Sequence, residues 1–365
     1  MRIICLATLL LLPWLTRAQD PHLSQYFSNK ALLNPALAAY EGGMLWNLNY
    51  RQERYTIQGQ LVQFNTNNLS GEFALPCLQS ALGLMYIDRI EGEGYLRWQS
   101  ISTSYAWHSR ARPDRYKRDW EWRFGMRLAY NWRSLNWDNL VFSEQLDAMR
   151  GILGPTNLPL PGDLRTNTDY FDLQAGYSWI YRKGENRFRV GLALNHIMRI
   201  ESAITAADDT LPIRTTIHTS YLHSLDWQGM ALQIMPFVRM DVQQGEAISL
   251  RQAFRYQSFT YGAIVGTRTM PAFWGGAWVQ SYQSFANQPT AHALVVQLGF
   301  EIPSGQRSHR PKAVYRLGIS YDLPIAGLAA GGSNIFEVSL AAHFPQAGGR
   351  RCGQAGRRYI PGARF

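Results

Sequence analysis

Hydrophobic and polar residues alternate strictly along several long stretches of the chain, most clearly from 119 to 133. One parity is large and apolar throughout: Trp120, Trp122, Phe124, Met126, Leu128, Tyr130 and Trp132. The other parity is polar or small: Asp119, Glu121, Arg123, Gly125, Arg127, Ala129, Asn131 and Arg133. Successive strand side chains point to opposite faces, so this pattern predicts one long strand with an apolar face and a charged face.

The same alternation recurs along the chain and is interrupted by short turns. The other clear segments are 171–181, 187–198, 292–302, 313–321 and 335–344, and clear turns are 182–185, 226–229 and 243–246. Between residues 44 and 344 we count fourteen or fifteen candidate strands. We predict fourteen, because closed bacterial barrels have an even number, and we regard the weakly alternating segment 272–282 as the doubtful one.

Strands of this length favour a membrane barrel over a soluble sheet. Strands of soluble proteins are usually about 5–6 residues long, whereas a membrane-crossing strand needs about 9–11. Among β-sheets, only a closed one leaves no backbone N–H or C=O group unpaired in lipid. We therefore predict an all-β fold, an antiparallel outer-membrane β-barrel of about fourteen strands. The aromatic Phe344 ends its last strand as a barrel-insertion signal, and both barrel ends lie on the periplasmic side.

The two ends of the chain divide it into four segments. Arg2, the apolar run from 3 to 12 and Thr16-Arg17-Ala18 form the pattern of a cleaved signal peptide over 1–18. Residues 19–43 follow as a short helix and turn that would sit in the lumen as a partial plug, and the barrel covers 44–344. Residues 345–365 form a tail with five arginines and no acid, which we interpret as flexible.

Composition supports export to a membrane. The chain has 12 Trp, 19 Tyr and 16 Phe but only 17% charged residues, and aromatic residues form the interfacial girdles of membrane barrels. The net charge is +10, or +8 without Arg2 and Arg17; in an exported protein this charge meets lipid phosphate and acidic polymers first. Cys77 and Cys352 would pair in an oxidising periplasm or remain two isolated thiols, and the sequence leaves this open.

The segment 136–167 interrupts the alternation between two long strands. Its first half, residues 139–149, is compatible with a short helix, and its second half is rich in glycine and proline. Long loops of such barrels usually face outward and often carry function. We therefore expect a surface loop here.

No motif in the chain predicts catalysis, a cofactor or a metal site. Phosphate loops, nucleophile elbows and zinc spacings are missing from the sequence. The acidic pair 208–209 with His218, His223 and Asp226 would be the candidate for activating water, but their spacing imposes no common site. We therefore expect a protein that is not an enzyme, and no nucleic-acid-binding module.

Charged residues of the inward parity form a second candidate site. They are Glu121, Arg123, Arg127, Arg133, Asp172, Arg187 and Arg189. One interpretation is a self-neutralised lumen network, because buried charges are normally paired. The other is an anion-selective passage or a socket for an acidic segment.

The chain resembles the PorP/SprF family of type IX secretion-associated membrane proteins from the Bacteroidetes. The resemblance rests on the opening residues 19–27, Asn34-Pro35-Ala36, Gly83-Leu84, the loop segment 139–147, Tyr321-Asp322 and 336–340, in that order along the chain. One departure is Ala38-Ala39-Tyr40-Glu41-Gly42, where the family has an earlier glycine. The motif residues are Asp20, Ser24, Gln25, Tyr26, Asn34, Pro35, Ala36, Tyr321, Asp322 and Glu337.

The resemblance implies a fourteen-stranded barrel of the long-chain fatty-acid-transporter type in the cell outer membrane. It further implies a role in secreting or anchoring a large surface protein, such as a gliding adhesin, through a type IX C-terminal domain. Expected partners are that client, periplasmic type IX or peptidoglycan-binding components, and outer-membrane lipid. Two alternatives remain at this stage: a transporter of small or hydrophobic solutes, and a secreted soluble β-sandwich such as a lectin.

Overall fold

A computed structural model of the chain describes most of the region between residues 23 and 345. The described residues are 23–57, 60–92, 96–109, 118–135, 146–147, 151–152, 167–198, 211, 213–244, 254–283, 289–307, 310–325 and 334–345. The predicted signal peptide 1–18, Asp20, the acidic pair 208–209 and the tail beyond 345 lie outside this set. No helix among the described residues is long and apolar enough to cross a membrane.

Sixteen strands and one short α-helix make up the described secondary structure. The strands are β1 (Met44–Ile57), β2 (Gln60–Leu75), β3 (Ser80–Glu91), β4 (Leu96–His108), β5 (Arg118–Ser134), β6 (Leu146–Asp147), β7 (Gly151–Ile152), β8 (Asn167–Lys183), β9 (Asn186–Asn195), β10 (Arg214–Trp227), β11 (Met230–Gln244), β12 (Phe254–Thr267), β13 (Ala272–Gln283), β14 (Pro289–Arg307), β15 (Arg310–Pro324) and β16 (Asn334–Phe344). The helix α1 covers Lys30–Leu33, and 3₁₀ turns cover Pro35–Leu37 and Pro76–Leu78.

Fourteen of these strands form a closed antiparallel barrel, which confirms the predicted fold class. Each strand pairs with its neighbour in the chain, β5 pairs with β8 across the loop, and β1 closes the ring against β16. The closing register places Met44 opposite Phe344. Both ends of the barrel sequence therefore lie at one end of the barrel, together with the turns at Gly184 and Gly229. The long β5–β8 connection lies at the other end.

The segment 272–282, which we regarded as doubtful, is a full barrel strand, so that expectation was wrong. Strand β13 pairs with both β12 and β14. Its alternation is weak because Trp274 and Trp278, its largest side chains, point into the lumen and are buried there. Glycines at 275 and 276 further dilute the pattern.

The helix expected over 139–149 is not found where the structure describes this loop. Leu146–Asp147 forms a strand, β6, that pairs with Gly151–Ile152. The rest of 136–166 lies outside the described residues. The turn expected at 243–246 falls at the end of β11 and is described only to Gln244.

The two faces of the barrel wall differ as the alternation predicted. In β5, Trp120, Trp122, Phe124, Met126 and Leu128 are all exposed on the outside. The intervening charged and polar side chains are buried in the lumen. In a membrane, the outer face is the one that meets lipid hydrocarbon.

The N-terminal segment, residues 23–43, lies inside the barrel. Asn29 caps α1 by accepting a hydrogen bond from the Leu32 backbone, and Asn34 caps the following 3₁₀ turn through the Ala36 N–H. Both are preferred N-cap residue types. Most side chains from Leu23 to Tyr40 are buried. We call residues 23–43 the lumen segment.

Candidate functional site: the lumen segment and its socket

The start of the lumen segment is held by a buried carboxylate pair on the last two strands. The Ser24 backbone N–H donates to Glu337 Oε2 at 2.7 Å, and its hydroxyl donates to Asp322 Oδ2 at 2.6 Å. Arg51 on β1 reaches the same two carboxylates, at 3.4 Å and 3.1 Å, and its Nη1 also donates to the Ser24 hydroxyl. Ser24, Asp322 and Glu337, which are family-motif residues from the two ends of the sequence, thus form one contact.

Gln25 extends this contact across the neighbouring strands. Its amide nitrogen donates to the Ser320 hydroxyl at 3.1 Å and to the Glu337 backbone carbonyl at 2.9 Å. Its amide oxygen accepts from Gln297 and from Ser339, both at 2.6 Å. With its amide bonded on both sides, this buried side chain links β14, β15 and β16.

Asn34 makes the equivalent contact on the opposite wall. Its side-chain nitrogen donates to the backbone carbonyls of Tyr177 at 3.0 Å and Leu192 at 3.1 Å. It also lies 3.1 Å from His218 Nε2. A Cβ on Gly176 would collide with the Asn34 side chain, so the missing side chain there creates the space that Asn34 fills.

Two of the predicted lumen arginines bind the backbone of the lumen segment. Arg123 donates from Nε to the Ala36 carbonyl and from Nη2 to the Ala38 carbonyl, each at 2.7 Å. Arg127 donates to the Ala31 carbonyl. These are charge-assisted hydrogen bonds to acceptors that a short helix leaves free at its end. A side chain at Gly125, between the two arginines, would collide with the backbone at Pro35 and Ala36.

An aromatic cluster packs the middle of the segment against β11 and β13. Phe27 packs edge-on against Trp278 with ring centroids 5.5 Å apart and against Trp274 at 6.0 Å. Tyr26 packs edge-on against Phe237 at 5.5 Å. This geometry is the favourable one for aromatic pairs, and it makes one side of the lumen apolar.

A buried acid, Glu41, ends the lumen segment. It pairs with Lys30 at 2.5 Å and with Arg316 on β15 at 2.6 Å, and His343 lies 3.7 Å away. Burial alone would raise the pKa of Glu41, but the charges of Arg316 and Lys30 hold it well below its usual value. The carboxylate therefore stays ionised and fastens the segment to the wall.

Three other predicted site residues, Arg133, Asp172 and Tyr321, lie away from these contacts. Arg133 lies over the Tyr170 ring at 5.7 Å, far along β5 from the arginines that bind the segment. Asp172 pairs with His196 at 3.2 Å. Tyr321 is exposed on the outer wall. Of the residues considered for water activation, His218 faces Asn34, whereas Asp226 pairs with Arg268 at the end of β10.

Several residues that hold the segment were missed by the sequence reasoning. They are Arg51, Glu72, Trp274, Trp278, Gln297, Arg316 and Ser320. A charged or amide residue on the inward parity was a signal for some of them, but nothing in the sequence pairs it with its acceptor. Within the described part of the chain, no group of three or more His, Cys, Asp or Glu side chains is arranged to hold a metal ion.

An apolar groove lies on the outer wall over β11 to β15. Its volume is about 730 Å³, and outward-facing residues such as Leu232, Val265, Phe273, Leu298 and Ile319 line it. At the rim that carries Met44 and Phe344, Cys77 is disulfide-bonded; Cys352 is outside the described residues.

Comparison with known proteins gives a family match. A sequence model of the family described as type IX secretion system membrane protein PorP/SprF matches residues 15–342. No curated protein sequence matches the chain.

Similar solved structures include outer-membrane barrels of low identity. The P. putida toluene transporter TodX has 12% identity and a TM-score of 0.41, covering 86% of this chain and 92% of TodX. An outer-membrane channel from Pseudomonas putida F1 has 11% identity and a TM-score of 0.40, covering 83% and 95%. CdiB from Acinetobacter baumannii has 9% identity and a TM-score of 0.40; 82% of this chain aligns with 60% of CdiB.

Proposed function

We propose, because the chain belongs to the PorP/SprF family of type IX secretion system membrane proteins, that this outer-membrane barrel helps secrete or anchor one large cell-surface protein. The client would be a gliding-adhesin-like protein, held through its type IX C-terminal domain. The barrel acts as a holder for this domain, and it performs no catalysis. Membership of the type IX system and the outer-membrane location are the premise; the client and the mode of holding are the proposal.

The observation that carries the proposal is the occupied lumen. The lumen segment is bound through Ser24 and Gln25 to β15 and β16, through Asn34 to β8 and β9, and through the Ala36 and Ala38 carbonyls to β5. A conducting pore needs a free path, whereas an anchor needs a rigid wall. Opposite walls tied by buried polar contacts favour the anchor.

The arrangement of the connections suggests where the client is held. The barrel ends at Met44 and Phe344 are at one end, and the connection between β5 and β8 is at the other. With the barrel ends on the periplasmic side, this connection faces the exterior. We assign it the contact with the exported client, and we assign the periplasmic end with the Arg-rich tail 345–365 to type IX or peptidoglycan-binding components.

The experiment is a secretion assay in cells that lack this chain. We expect one large surface protein to disappear from the cell surface and to return when the wild-type chain is restored. A chain with 136–166 replaced by a short glycine-serine linker should reach the outer membrane but fail to restore the client. A matched linker replacement of 284–288, which connects β13 to β14 at the same end of the barrel, controls for the effect of replacing a loop. Normal surface display in the deletion strain would contradict the proposal.

The alternative function is a channel for small or hydrophobic solutes, and the outer-wall groove favours it. The volume of this open groove, about 730 Å³, falls within the usual range for small-molecule sites. This function predicts solute uptake that falls when Leu298, on the groove, is changed to Arg. If uptake is unchanged in cells lacking the chain, the alternative is excluded.

A further inference from the structure

A row of three charged side chains crosses three neighbouring strands near the Gly184 turn. Asp119 on β5 lies opposite Arg182 on β8, and Arg182 lies opposite Arg187 on β9. Arg189 follows two residues further along the same strand and therefore points into the lumen beside Arg187. Two arginines face each other directly in this row, an arrangement that destabilises a sheet unless a negative charge lies between them.

The carboxylates of this region already have other partners. Arg182 pairs with Asp119 at 3.1 Å and also with Glu121. Glu121 in addition pairs with Arg123 at 3.0 Å. Among the described residues, no ion pair joins a carboxylate to Arg187 or Arg189. The region therefore holds more positive charge than its own acids neutralise.

Donor atoms of these two arginines remain unpaired in the protein interior. Arg187 is 7% exposed and Arg189 is 4% exposed. Arg187 Nε, Arg189 Nε and Arg189 Nη1 are buried without a hydrogen-bond acceptor among the described residues. Buried polar groups in proteins are normally hydrogen-bonded, so three such atoms in one place indicate a missing acceptor.

Tyr40 of the lumen segment completes the cluster. The guanidinium carbons of Arg123, Arg187 and Arg189 each lie 5.5 Å from its ring centroid, and Lys30 Nζ lies 5.8 Å from it. A neutral tyrosine ring supplies no counter-charge to these cations, and ring contacts leave N–H donors unpaired. The Tyr40 hydroxyl is itself buried without a partner.

We propose that this cluster binds one small oxyanion, of the phosphate or carboxylate type, between Arg187, Arg189 and the Tyr40 hydroxyl. Such an anion supplies two or more acceptor oxygens, and guanidinium groups bind them in a forked geometry. It also places negative charge between the facing arginines 182 and 187. Arg182 is 14% exposed at its side chain, so the ion enters from the barrel end that carries the Gly184 turn.

The test is calorimetric titration of the full chain, purified in detergent and dialysed into chloride buffer. Inorganic phosphate and acetate are titrated separately at constant ionic strength. We expect saturable binding of one ion per chain, with affinity lower by at least about tenfold in Arg187→Gln and Arg189→Gln, as the loss of a charge-assisted hydrogen bond implies. The relative affinities of the two anions identify the ligand type.

Arg133→Gln is the matched control, because it removes an inward-facing arginine of the same barrel at its other end. It should bind as the wild type does. Tyr40→Phe removes only a hydroxyl, so it tests the site even if an arginine variant fails to fold by circular dichroism. We expect weaker anion binding in this variant as well.

Three results would overturn the proposal. The first is no saturable binding to the wild type, and the second is equal binding to the wild type and both arginine variants. The third is a tyrosinate absorbance near neutral pH that Tyr40→Phe removes, with no anion bound. Although burial opposes ionisation, the charges of Arg187, Arg182 and Arg189 lower the pKa of Tyr40, and the phenolate would then be the counter-charge.

Discussion

Replacing Asn34 by Ala should loosen the lumen segment without unfolding the barrel. The substitution removes the hydrogen bonds from Asn34 to the carbonyls of Tyr177 and Leu192, and the one that its oxygen accepts from the Ala36 N–H at 2.9 Å. Each such bond contributes about 0.5–1.5 kcal/mol net, so the loss of three should cost about 1.5–4.5 kcal/mol. At about 1.4 kcal/mol per factor of ten, the segment should open roughly 10 to 1,600 times more often.

Amide hydrogen exchange of peptides covering 23–43, followed by mass spectrometry, measures this opening. The exchange of β5 and β8 peptides should stay close to wild type, because their own ladders are intact. Asn65→Ala is the matched control: Asn65 accepts hydrogen bonds from Gln52 and Gln63 at 3.3 Å and 3.1 Å and does not touch the segment. Unchanged exchange of 23–43 in Asn34→Ala would mean that Asn34 does not hold the lumen segment against β8 and β9.

Three further changes test the same contact. Gly125→Ala should displace the lumen segment, because a Cβ there collides with the segment's backbone, and cleavage of 23–43 by added protease should therefore rise. The control Gly275→Ala lies on the outer face, where the nearest atom to a new Cβ is the flexible end of a leucine at 3.2 Å. It should leave the cleavage of 23–43 unchanged. Trp278→Ala should lower the free energy of unfolding by about 3–5 kcal/mol in a denaturant titration, and a loss under about 1 kcal/mol would mean that Phe27 does not pack on it. Because the folded-state pKa of Glu41 is depressed, its contribution is complete above its ordinary pKa and is lost as pH falls through the folded value. Exchange of 23–43 should therefore increase on acidification below 4.5, the ordinary glutamate value, and Glu41→Gln should flatten that dependence.

The barrel wall could be predicted from the sequence because lipid imposes one rule on every strand. An outward residue must be apolar, and an inward one is free to be polar, so alternation marks each strand that faces lipid on one side and a polar lumen on the other. Strand β13 does not alternate clearly, because its inward side chains pack against the aromatic Phe27 and not against polar groups. Its tryptophans are therefore apolar on the parity where the pattern expects polar residues.

The contacts between the lumen segment and the barrel wall could be predicted only in part, because they join residues far apart in the chain. The inward parity of Arg123 and Arg127 was visible, but their acceptors are backbone carbonyls of the lumen segment, and a carbonyl has no sequence signature. The family motif includes Ser24, Asp322 and Glu337, but it does not indicate that these residues contact one another. The closure of β1 on β16 is what brings Arg51 to that pair.

The chain is an outer-membrane barrel of the PorP/SprF family whose own N-terminal segment occupies the lumen, and the proposal is that it holds a secreted protein. The most direct test is to isolate the tagged chain from outer membranes in detergent and identify by mass spectrometry what accompanies it. We expect one large secreted protein with a type IX C-terminal domain, lost when 136–166 is replaced by a linker. Isolation of the barrel alone, with a lipid or solute bound, would contradict it.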